Sequence, residues 1–290
     1  MARLLRLEYP GAIYHVTARG NERRSIFGTD RDCAVFLEKL EACVLRHGVR
    51  MYAYVLMGNH FHFLMETPRA NLSAFMQQVL SSYTVYYNVK RGRVGHLFSG
   101  RYKARVVRGD EYLLKLSRYV HLNPVKVAAH KQTPAVARIC ALREHRWSSY
   151  PCYIGQRAVP KWMAVEPLRE LVAEGHGDKA AGYMAFVEAA VTAEDDDFGA
   201  ALERSRHAIG SEEFYAWAQG EYRSLAERQG SPADVALRRV KCGVAPGKIA
   251  GAVCERCGVT AESLQRRRNL SDARLLLVVL LGRHAGLTQR

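Results

Sequence analysis

Residues 51–65 have the sequence MYAYVLMGNHFHFLM, and this stretch decides the fold. Two apolar runs, Met51–Leu56 and His60–Met65, lie on either side of a three-residue turn that contains Gly58-Asn59, an arrangement typical of a β-hairpin. Alternate residues of a strand point to the same face of a sheet, so His60 and His62 lie side by side on the second strand. The stretch therefore predicts a hairpin that presents two imidazoles to one divalent ion.

The patterns before and after the hairpin predict the rest of an α+β domain. Apolar residues recur at helical spacing, and Pro124 ends the last helix because the residue before a proline avoids helical angles. The resulting order, β-α-β-β-α-β-α, is that of a ferredoxin-like fold, in which helices pack on an antiparallel sheet. The predicted elements outside the hairpin are a strand over Ala12–Ala18, a helix over Asp30–His47, a helix over Asn71–Lys90, a strand over Arg101–Val107 and a helix from Asp110 to near Asn123.

The last of these helices places Tyr119 and Asn123 on one face, since residues four apart on a helix are neighbours. The pKa of a free tyrosine is near 10, so its hydroxyl attacks a phosphodiester at neutral pH only with help. A metal ion can withdraw charge from the phosphate oxygens and hold the phosphate in line. Two histidines together with such a tyrosine therefore indicate a nickase or transesterase.

The ligand types narrow the choice of metal. Two imidazole nitrogens and one amide oxygen leave open positions on an octahedral ion for phosphate, which suits Mg²⁺ or Mn²⁺. Two histidines alone also accept Zn²⁺ or Ni²⁺.

The chain has 290 residues and a formal net charge of +15, and the excess lies in its first half. Residues 1–150 hold 24 Lys and Arg against 10 Asp and Glu, whereas residues 151–290 hold 19 against 18. A polyanion is the natural ligand of such a basic half, because each Lys or Arg that neutralises a phosphate releases a condensed counterion. We therefore expect nucleic acid to bind to the first half.

Four motifs follow one another along the chain. They are Tyr14-His15-Val16-Thr17 with Arg19-Gly20-Asn21 and Ile26-Phe27, then Tyr54 through His62, then Phe98-Ser99-Gly100-Arg101-Tyr102-Lys103, and finally Tyr119 through Ala128. In this order they resemble the HUH-type single-tyrosine (IS200-like) transposases, specifically the branch of REP-associated tyrosine transposases. Relatives often have glutamine where Asn123 stands and proline where Gly58 stands.

This resemblance implies an HUH nuclease core that binds a DNA hairpin with an adjacent single-stranded tetranucleotide, and cleaves and rejoins it without a double-strand break. It implies that His60 and His62 bind the metal, that Asn123 is the third ligand, and that Tyr119 is the nucleophile that forms a 5′-phosphotyrosine. We expect Tyr102 to stack on an unpaired base and nearby basic residues to contact phosphates. The expected phosphate contacts are Arg19, Arg23, Arg24, Arg101, Lys103, Arg105 and Arg108.

Composition divides the chain into three predicted parts. Residues 1–135 form the transposase/nuclease domain, residues 136–193 an aromatic-rich extension that packs on it, and residues 200–290 an all-α domain. The acidic stretch Glu194–Gly199 is the best candidate linker. The helical patterns of the last part cover Ser211–Gln229, Pro232–Lys241, Pro246–Arg256 and Asp272–His284.

The last part resembles a portion of the DNA-binding domain of the replication initiator DnaA. The resemblance lies in Val253–Thr260, Ala273-Arg274 and Gly286–Thr288. In that family the helices that bind duplex DNA follow the position of Arg290. Either Arg266–Arg268 contact phosphates alone, or this domain is a packing or partner module, which is the reading we favour.

Two other functions stay open at this point. A domesticated protein would bind DNA hairpins in a regulatory role without cutting them, and a metal-dependent phosphodiesterase would use water, with Tyr119 merely structural. No segment approaches the roughly 20 apolar residues that span a bilayer, and the seven scattered cysteines fit reduced thiols. We therefore expect a cytoplasmic, nucleoid-associated protein without a membrane partner, and a homodimer is possible.

Overall fold

The computed structural model describes residues 6–126, 133–172, 177–192, 198–199, 202, 204–228, 246–265 and 272–284. Contacts divide the chain into two compact units, Glu8–Ala216 and Met1–Leu7 with Trp217–Arg290. The three parts predicted from the sequence, 1–135, 136–193 and 200–290, stay predictions. Several predicted features lie outside the described residues, wholly or in part: the end of the motif Tyr119–Ala128, the linker before Phe198, the helix over Pro232–Lys241, the run Arg266–Arg268 and the motif Gly286–Thr288.

A five-stranded sheet forms the centre of the unit Glu8–Ala216. Its strands in chain order are Ala12–Arg19 (β1), Arg50–Met57 (β2), His60–Thr67 (β3), Lys103–Val107 (β4) and Ala208–Ile209 (β5). Their order in the sheet is β2-β3-β1-β4-β5, with the first four antiparallel and β5 parallel to β4. The predicted hairpin is present, but its turn has two residues and not three, because Met57 still belongs to β2 and pairs with His60.

The first three helices of this unit follow the predicted order, and four helices among the described residues that the sequence did not predict come after them. In chain order these helices are Asp30–His47 (α1), Leu72–Arg91 (α2), Asp110–Leu122 (α3), Ala135–Glu144 (α4), Tyr150–Tyr153 (α5), Glu166–Glu170 (α6) and Lys179–Ala189 (α7), with one turn of 3-10 helix over Asn21–Arg23. The side chains of Thr29 and Asp32 form a capping box at the start of α1, and Gly48 ends it with a φ of 63°. The α+β, ferredoxin-like prediction is thereby confirmed.

One face of the sheet is apolar and is covered by α1 and α2. The ring of Phe36 on α1 lies 5.1 Å from that of Phe61 on β3 and 5.0 Å from that of Tyr83 on α2, measured between centroids. All three side chains are fully buried. Because this face carries the aromatic core, the opposite face is available for polar side chains.

Both edges of the antiparallel sheet are covered. On the β2 edge, the amide of Leu56 donates to the carbonyl of Trp147 at 2.8 Å, and the amide of Ala164 donates to that of Met51 at 2.9 Å. On the other edge, β5 pairs with β4. An open edge offers unpaired amides and carbonyls to other chains, so segments that follow α3 complete the sheet.

A buried hydrogen-bond network joins α3 to these later segments. The Nε2 atom of His121 lies 2.8 Å from Ser149 Oγ, and its Nδ1 atom lies 3.0 Å from the hydroxyl of Tyr183. The Tyr183 hydroxyl also donates to Ser117 Oγ at 2.8 Å. Burial lowers the pKa of His121 to about 3, so this imidazole is neutral in the folded protein.

The described residues after Ala216 are mostly helical, whereas the strand β5 lies within the part that the sequence predicted to be all-α, residues 200–290. The helices after β5 are Glu212–Arg228 (α8), Pro246–Cys257 (α9), Ala261–Gln265 (α10) and Asp272–His284 (α11). In the second unit, Val253, Leu264 and Ala273 form a small apolar core. Among the described residues, no helix is both long and apolar enough to cross a bilayer.

Candidate active site

The polar face of the sheet carries the candidate site. Arg19 on β1 is the register partner of His60 on β3, and Thr17 is the partner of His62. On the other side of β1, His15 is the partner of Arg105 on β4. Directly opposed residues of antiparallel strands point to the same face, so three neighbouring strands contribute imidazoles and guanidinium groups to one surface.

Three histidines are close together on this face. The Nε2 atom of His15 lies 3.0 Å from Nδ1 of His62. The rings of His60 and His62 lie 5.1 Å apart between centroids, and Nδ1 of His60 lies 2.7 Å from Oδ1 of Asn59. The structure thus brings the two predicted ligands together and adds a third imidazole behind one of them.

Burial keeps these imidazoles neutral. Burial, together with a smaller contribution from a nearby arginine, lowers the pKa of His15 to about 3 and that of His60 to about 4. Burial also lowers the pKa of His62 well below the usual value, and the neighbouring histidines contribute to the same shift. A neutral imidazole has a lone pair for a metal ion, so His60 and His62 are in the state that a ligand requires.

Tyr119 lies over the same face, on α3. The centroid of its ring is 5.7 Å from that of His62 and 5.9 Å from that of His15. This is the placement that the sequence required but could not establish, namely that α3 crosses the histidine face of the sheet. The tyrosine and both neighbouring imidazoles meet edge to face.

Asn123 follows the last residue of α3, one turn after Tyr119. Its amide nitrogen donates to the carbonyl of Tyr119 at 2.8 Å, which leaves Oδ1 as the atom that could bind a metal. The described residues contain no group of three or more His, Cys, Asp or Glu side chains that could hold a metal ion. The predicted donor set is instead two neutral imidazoles and an amide oxygen, and this chemistry fits Mg²⁺ or Mn²⁺ with positions left for a phosphate.

The loop after β1 places further cations at the hairpin tip. The carbonyl of Gly58 accepts hydrogen bonds from the amides of Ile26 and Phe27 at 2.9 and 3.0 Å. The side-chain amide of Asn59 donates to the carbonyl of Arg23 at 2.9 Å. The loop is therefore fixed to the turn that precedes His60, and its exposed arginines, Arg23 and Arg24, lie near the exposed Arg19 at the end of β1.

The backbone of this loop is unusual. Glu22 and Arg23 have φ angles of 53° and 59°, in the left-handed region that side chains other than glycine rarely adopt. A Cβ atom on Gly20 would lie 2.2 Å from the carbonyl oxygen of Arg24, so only glycine fits there. A sharp backbone turn thus directs the arginines of this loop.

The predicted residues around β4 differ in exposure. Arg101, Lys103 and Arg108 are exposed, whereas Arg105 is partly buried beneath α3. Burial lowers the pKa of Arg105, and electrostatic interactions with Tyr119 and Tyr215 oppose that shift. Tyr102 is buried, with its hydroxyl 3.4 Å from Ser73 Oγ, so its ring is covered in this conformation.

Two residues near Tyr119 had no role in the sequence prediction. His15 stands in a quoted motif, and its alternation with Thr17 and Arg19 along β1 is the signal that places it on the polar face. Phe198 has its ring 6.1 Å from that of Tyr119, and no pattern in the sequence indicates this contact.

Two comparisons with known proteins find matches to this chain. Residues 9–123 match the family model described as "Transposase IS200 like". A solved structure of a REP-associated tyrosine transposase bound to a REP hairpin is similar to the chain, with 16% identity, a TM-score of 0.43, and coverage of 57% of this chain and 92% of that one. A comparison with curated proteins gives no match.

Proposed function

We propose that this protein is a metal-dependent transesterase that cleaves and rejoins single-stranded DNA at hairpin repeats, a proposal supported by the match of residues 9–123 to the IS200-like transposase model. Tyr119 is the nucleophile and forms a 5′-phosphotyrosine. The observation that carries the proposal is the position of Tyr119. Its ring lies 5.7 Å from that of His62, one of the two predicted histidine ligands, measured between centroids.

The chemistry exchanges one phosphate ester for another. In cleavage, Oη of Tyr119 forms a bond to the scissile phosphorus while the bond from phosphorus to the 3′ oxygen breaks. The phenol loses its proton, and the departing 3′ oxygen gains one. In rejoining, a 3′-hydroxyl attacks the phosphotyrosine and Tyr119 is released, so the energy of the broken bond is kept in the covalent link.

Charge around Tyr119 favours this attack. Arg105 is partly buried and interacts electrostatically with Tyr119, so its guanidinium group opposes the cost of negative charge that develops on the phenolic oxygen. Mg²⁺ or Mn²⁺ would be held by the imidazoles of His60 and His62 and by Oδ1 of Asn123. When bound, the ion supplies positive charge to the non-bridging oxygens of the scissile phosphate.

Exposed cations around the site suit a DNA backbone. Arg19, Arg23 and Arg24 lie at the hairpin tip, and Arg101, Lys103 and Arg108 lie at β4 or next to it. Backbone contacts of this kind position the strand without selecting its sequence. They support the proposal that the unpaired strand beside a DNA hairpin crosses the polar face toward Tyr119.

The proposal is tested by denaturing gel electrophoresis of the full-length protein with labelled hairpin oligonucleotides that carry single-stranded flanks, in Mn²⁺ or in EDTA. We expect a covalent protein–DNA band that needs the metal and is absent in Tyr119→Phe. Tyr86→Phe, which removes a hydroxyl on the opposite side of the sheet, is the matched control and should keep the band.

The other outcomes favour the alternatives. A band that persists in Tyr119→Phe overturns the nucleophile assignment. Cleavage without any adduct indicates a phosphodiesterase that uses water. Hairpin binding without cleavage in any divalent metal indicates a domesticated DNA-binding protein.

A further inference from the structure

A cavity of about 730 Å³ lies next to the candidate active site. One wall comes from the first two turns of α3, and the other comes from residues that follow position 197. The family match ends at residue 123, so this second wall belongs to a part of the chain that the match does not include. The lining residues are Glu111, Tyr112, Lys115, Phe198, Arg204, Gly210, Ser211, Glu212, Glu213 and Tyr215.

The cavity lies close to Tyr119, and the two share Phe198 as a neighbour. Glu111, Lys115 and Tyr119 are four residues apart and therefore lie along one side of α3. Phe198 lines the cavity and has its ring 6.1 Å from that of Tyr119. Residues four apart on a helix, such as Lys115 and Tyr119, are separated by about 6 Å along its axis. This distance is close to that between a phosphate and the base of the same nucleotide. A phosphate at Tyr119 thus places an adjacent base within reach of the cavity.

The charges that line the cavity disfavour a phosphate. Nζ of Lys115 lies 2.7 Å from Oε1 of Glu111, and Arg204 forms an ion pair with Glu212. Both cations are therefore neutralised by carboxylates, and Glu213 adds a further negative charge. A polyanion backbone is repelled here, whereas carboxylate oxygens accept hydrogen bonds from amino groups.

The remaining lining suits a flat ring. Tyr112, Phe198 and Tyr215 give three aromatic walls. The guanidinium of Arg204 already stacks over Tyr215, with 4.8 Å from its central carbon to the ring centroid, which leaves Tyr112 as the better platform. Stacking of a base on an aromatic side chain is the usual way in which proteins bind single strands.

We propose that this cavity, the base pocket, binds one unpaired nucleobase of the strand that is joined to Tyr119. The base stacks on Tyr112, and its exocyclic amino group donates to Glu213, so adenine, cytosine and guanine bind in preference to thymine. The proposal rests on the proposed function, because it takes Tyr119 as the point of attachment.

The first experiment measures where on the strand the pocket acts. Affinities of the full-length protein are measured by fluorescence anisotropy for hairpin oligonucleotides in which each flanking nucleotide in turn is replaced by an abasic site. We expect one position at which loss of the base weakens binding roughly 5- to 100-fold. In Tyr112→Ala this penalty should disappear at that position and persist at the others.

Tyr86→Ala is the matched control, since Tyr86 is also a half-buried tyrosine on a helix but lies on the opposite side of the sheet. It should keep the full pattern of abasic penalties. An identical pattern in the wild type, Tyr112→Ala and Tyr86→Ala overturns the proposal.

A second variant keeps the test valid if Tyr112→Ala does not fold. Glu213 is exposed, and its carboxylate interacts with Ser211 at the start of α8, so Glu213→Gln removes the charge while an amide of the same size keeps an acceptor oxygen for Ser211. The wild type should bind cytosine several-fold more tightly than thymine at the sensitive position, and Glu213→Gln should reduce that ratio, whereas Glu38→Gln on α1 should not. An unchanged ratio in Glu213→Gln overturns the role of the carboxylate.

A failure of the base pocket can be distinguished from a failure of the proposed function. Covalent adduct formation by the wild type tests Tyr119 and the metal alone. If the adduct forms while all abasic patterns are identical, the base pocket is wrong and the transesterase stands. If no adduct forms with any flank, the proposed function fails, and the base pocket fails with it.

Discussion

The Nε2 atom of His15 lies 3.0 Å from Nδ1 of His62, so the two imidazoles are joined by one hydrogen bond on the polar face of the sheet. A histidine that binds a metal through one nitrogen needs its other nitrogen held, because the second contact fixes the tautomer and the ring orientation. His15 makes this contact to His62, and Asn59 makes it to Nδ1 of His60 at 2.7 Å. Both predicted ligands are thus arranged to use Nε2.

Replacing His15 should therefore weaken metal binding although His15 is not itself a predicted ligand. In His15→Phe an aromatic ring is kept and both ring nitrogens are lost, so Nδ1 of His62 no longer has its partner. We expect the dissociation constant for Mn²⁺, measured by calorimetry, to rise roughly 10- to 100-fold.

A purely structural role for His15 would leave the tautomer of His62 unchanged. Long-range ¹H–¹⁵N spectra of the metal-free protein should show the proton of His62 on Nδ1 in the wild type and a mixture of tautomers in His15→Phe. His47→Phe, on the helix-covered side of the sheet, serves as the control for both measurements. Unchanged Mn²⁺ affinity and tautomer in His15→Phe would contradict the arrangement.

A second prediction concerns the arginine loop at the hairpin tip. Arg23 is exposed, and its carbonyl is tied to Asn59, so its side chain starts from a fixed point close to His60. If it neutralises one phosphate, Arg23→Ala should lower the slope of log affinity against log salt concentration by roughly 1 for hairpin DNA. The control is Arg31→Ala, an exposed arginine on α1, for which we expect the wild-type slope. Equal slopes for the two variants would remove Arg23 from the interface.

The sequence predicts the hairpin and the order of the first seven elements because those signals are local. Alternation marks the strands, helical spacing marks α1 and α2, and Pro124 marks the end of α3. The contact of His15 with His62 depends on register, and a slip of one residue would move either side chain to the other face. Its position on the polar face could be inferred from alternation, but its distance from His62 could not.

Other parts of the site are tertiary and leave no local trace. Ala208–Ile209 is too short to show a period, so β5 is recognised only by its pairing with β4. Gly210 follows directly, and a Cβ atom there would lie 3.0 Å from the carbonyl oxygen of Arg108, the residue after β4. Gly210 lines the base pocket, and nothing in the residues around it indicates that the end of β4 comes so close.

A third prediction follows from the buried network at His121. Its pKa is about 3 in the folded protein because of burial, below the ordinary value of 6.5. As the pH decreases, the unfolded chain binds a proton at this histidine before the folded protein does. The contribution of His121 to stability is therefore fully present above pH 6.5 and is lost as the pH decreases toward 3. Between pH 6.5 and 5 this one histidine should cost about 2 kcal/mol of unfolding free energy.

The measurement is urea unfolding at several pH values. In His121→Gln the slope of unfolding free energy against pH should decrease by about 1.4 kcal/mol per pH unit, which corresponds to the uptake of one proton on unfolding. His96→Gln, at an exposed histidine, should leave the wild-type dependence unchanged. Parallel curves for wild type and His121→Gln would show that His121 does not resist protonation in the folded state.

The last prediction concerns Asn123, where relatives often have glutamine. In this chain the amide nitrogen is held by the carbonyl of Tyr119, which directs Oδ1 but limits its reach. Glutamine is one methylene longer, so Asn123→Gln should bring the amide oxygen closer to a metal at His60 and His62 and lower the dissociation constant for Mn²⁺ several-fold. The same change removes the short contact at the end of α3 and should cost about 1 kcal/mol of stability. Asn123→Leu, which has similar volume and no ligand atom, should bind Mn²⁺ more weakly than the wild type. If calorimetry gives the same Mn²⁺ affinity for the wild type, the glutamine variant and the leucine variant, then Asn123 is not a ligand, and the third position on the metal is filled by water or DNA.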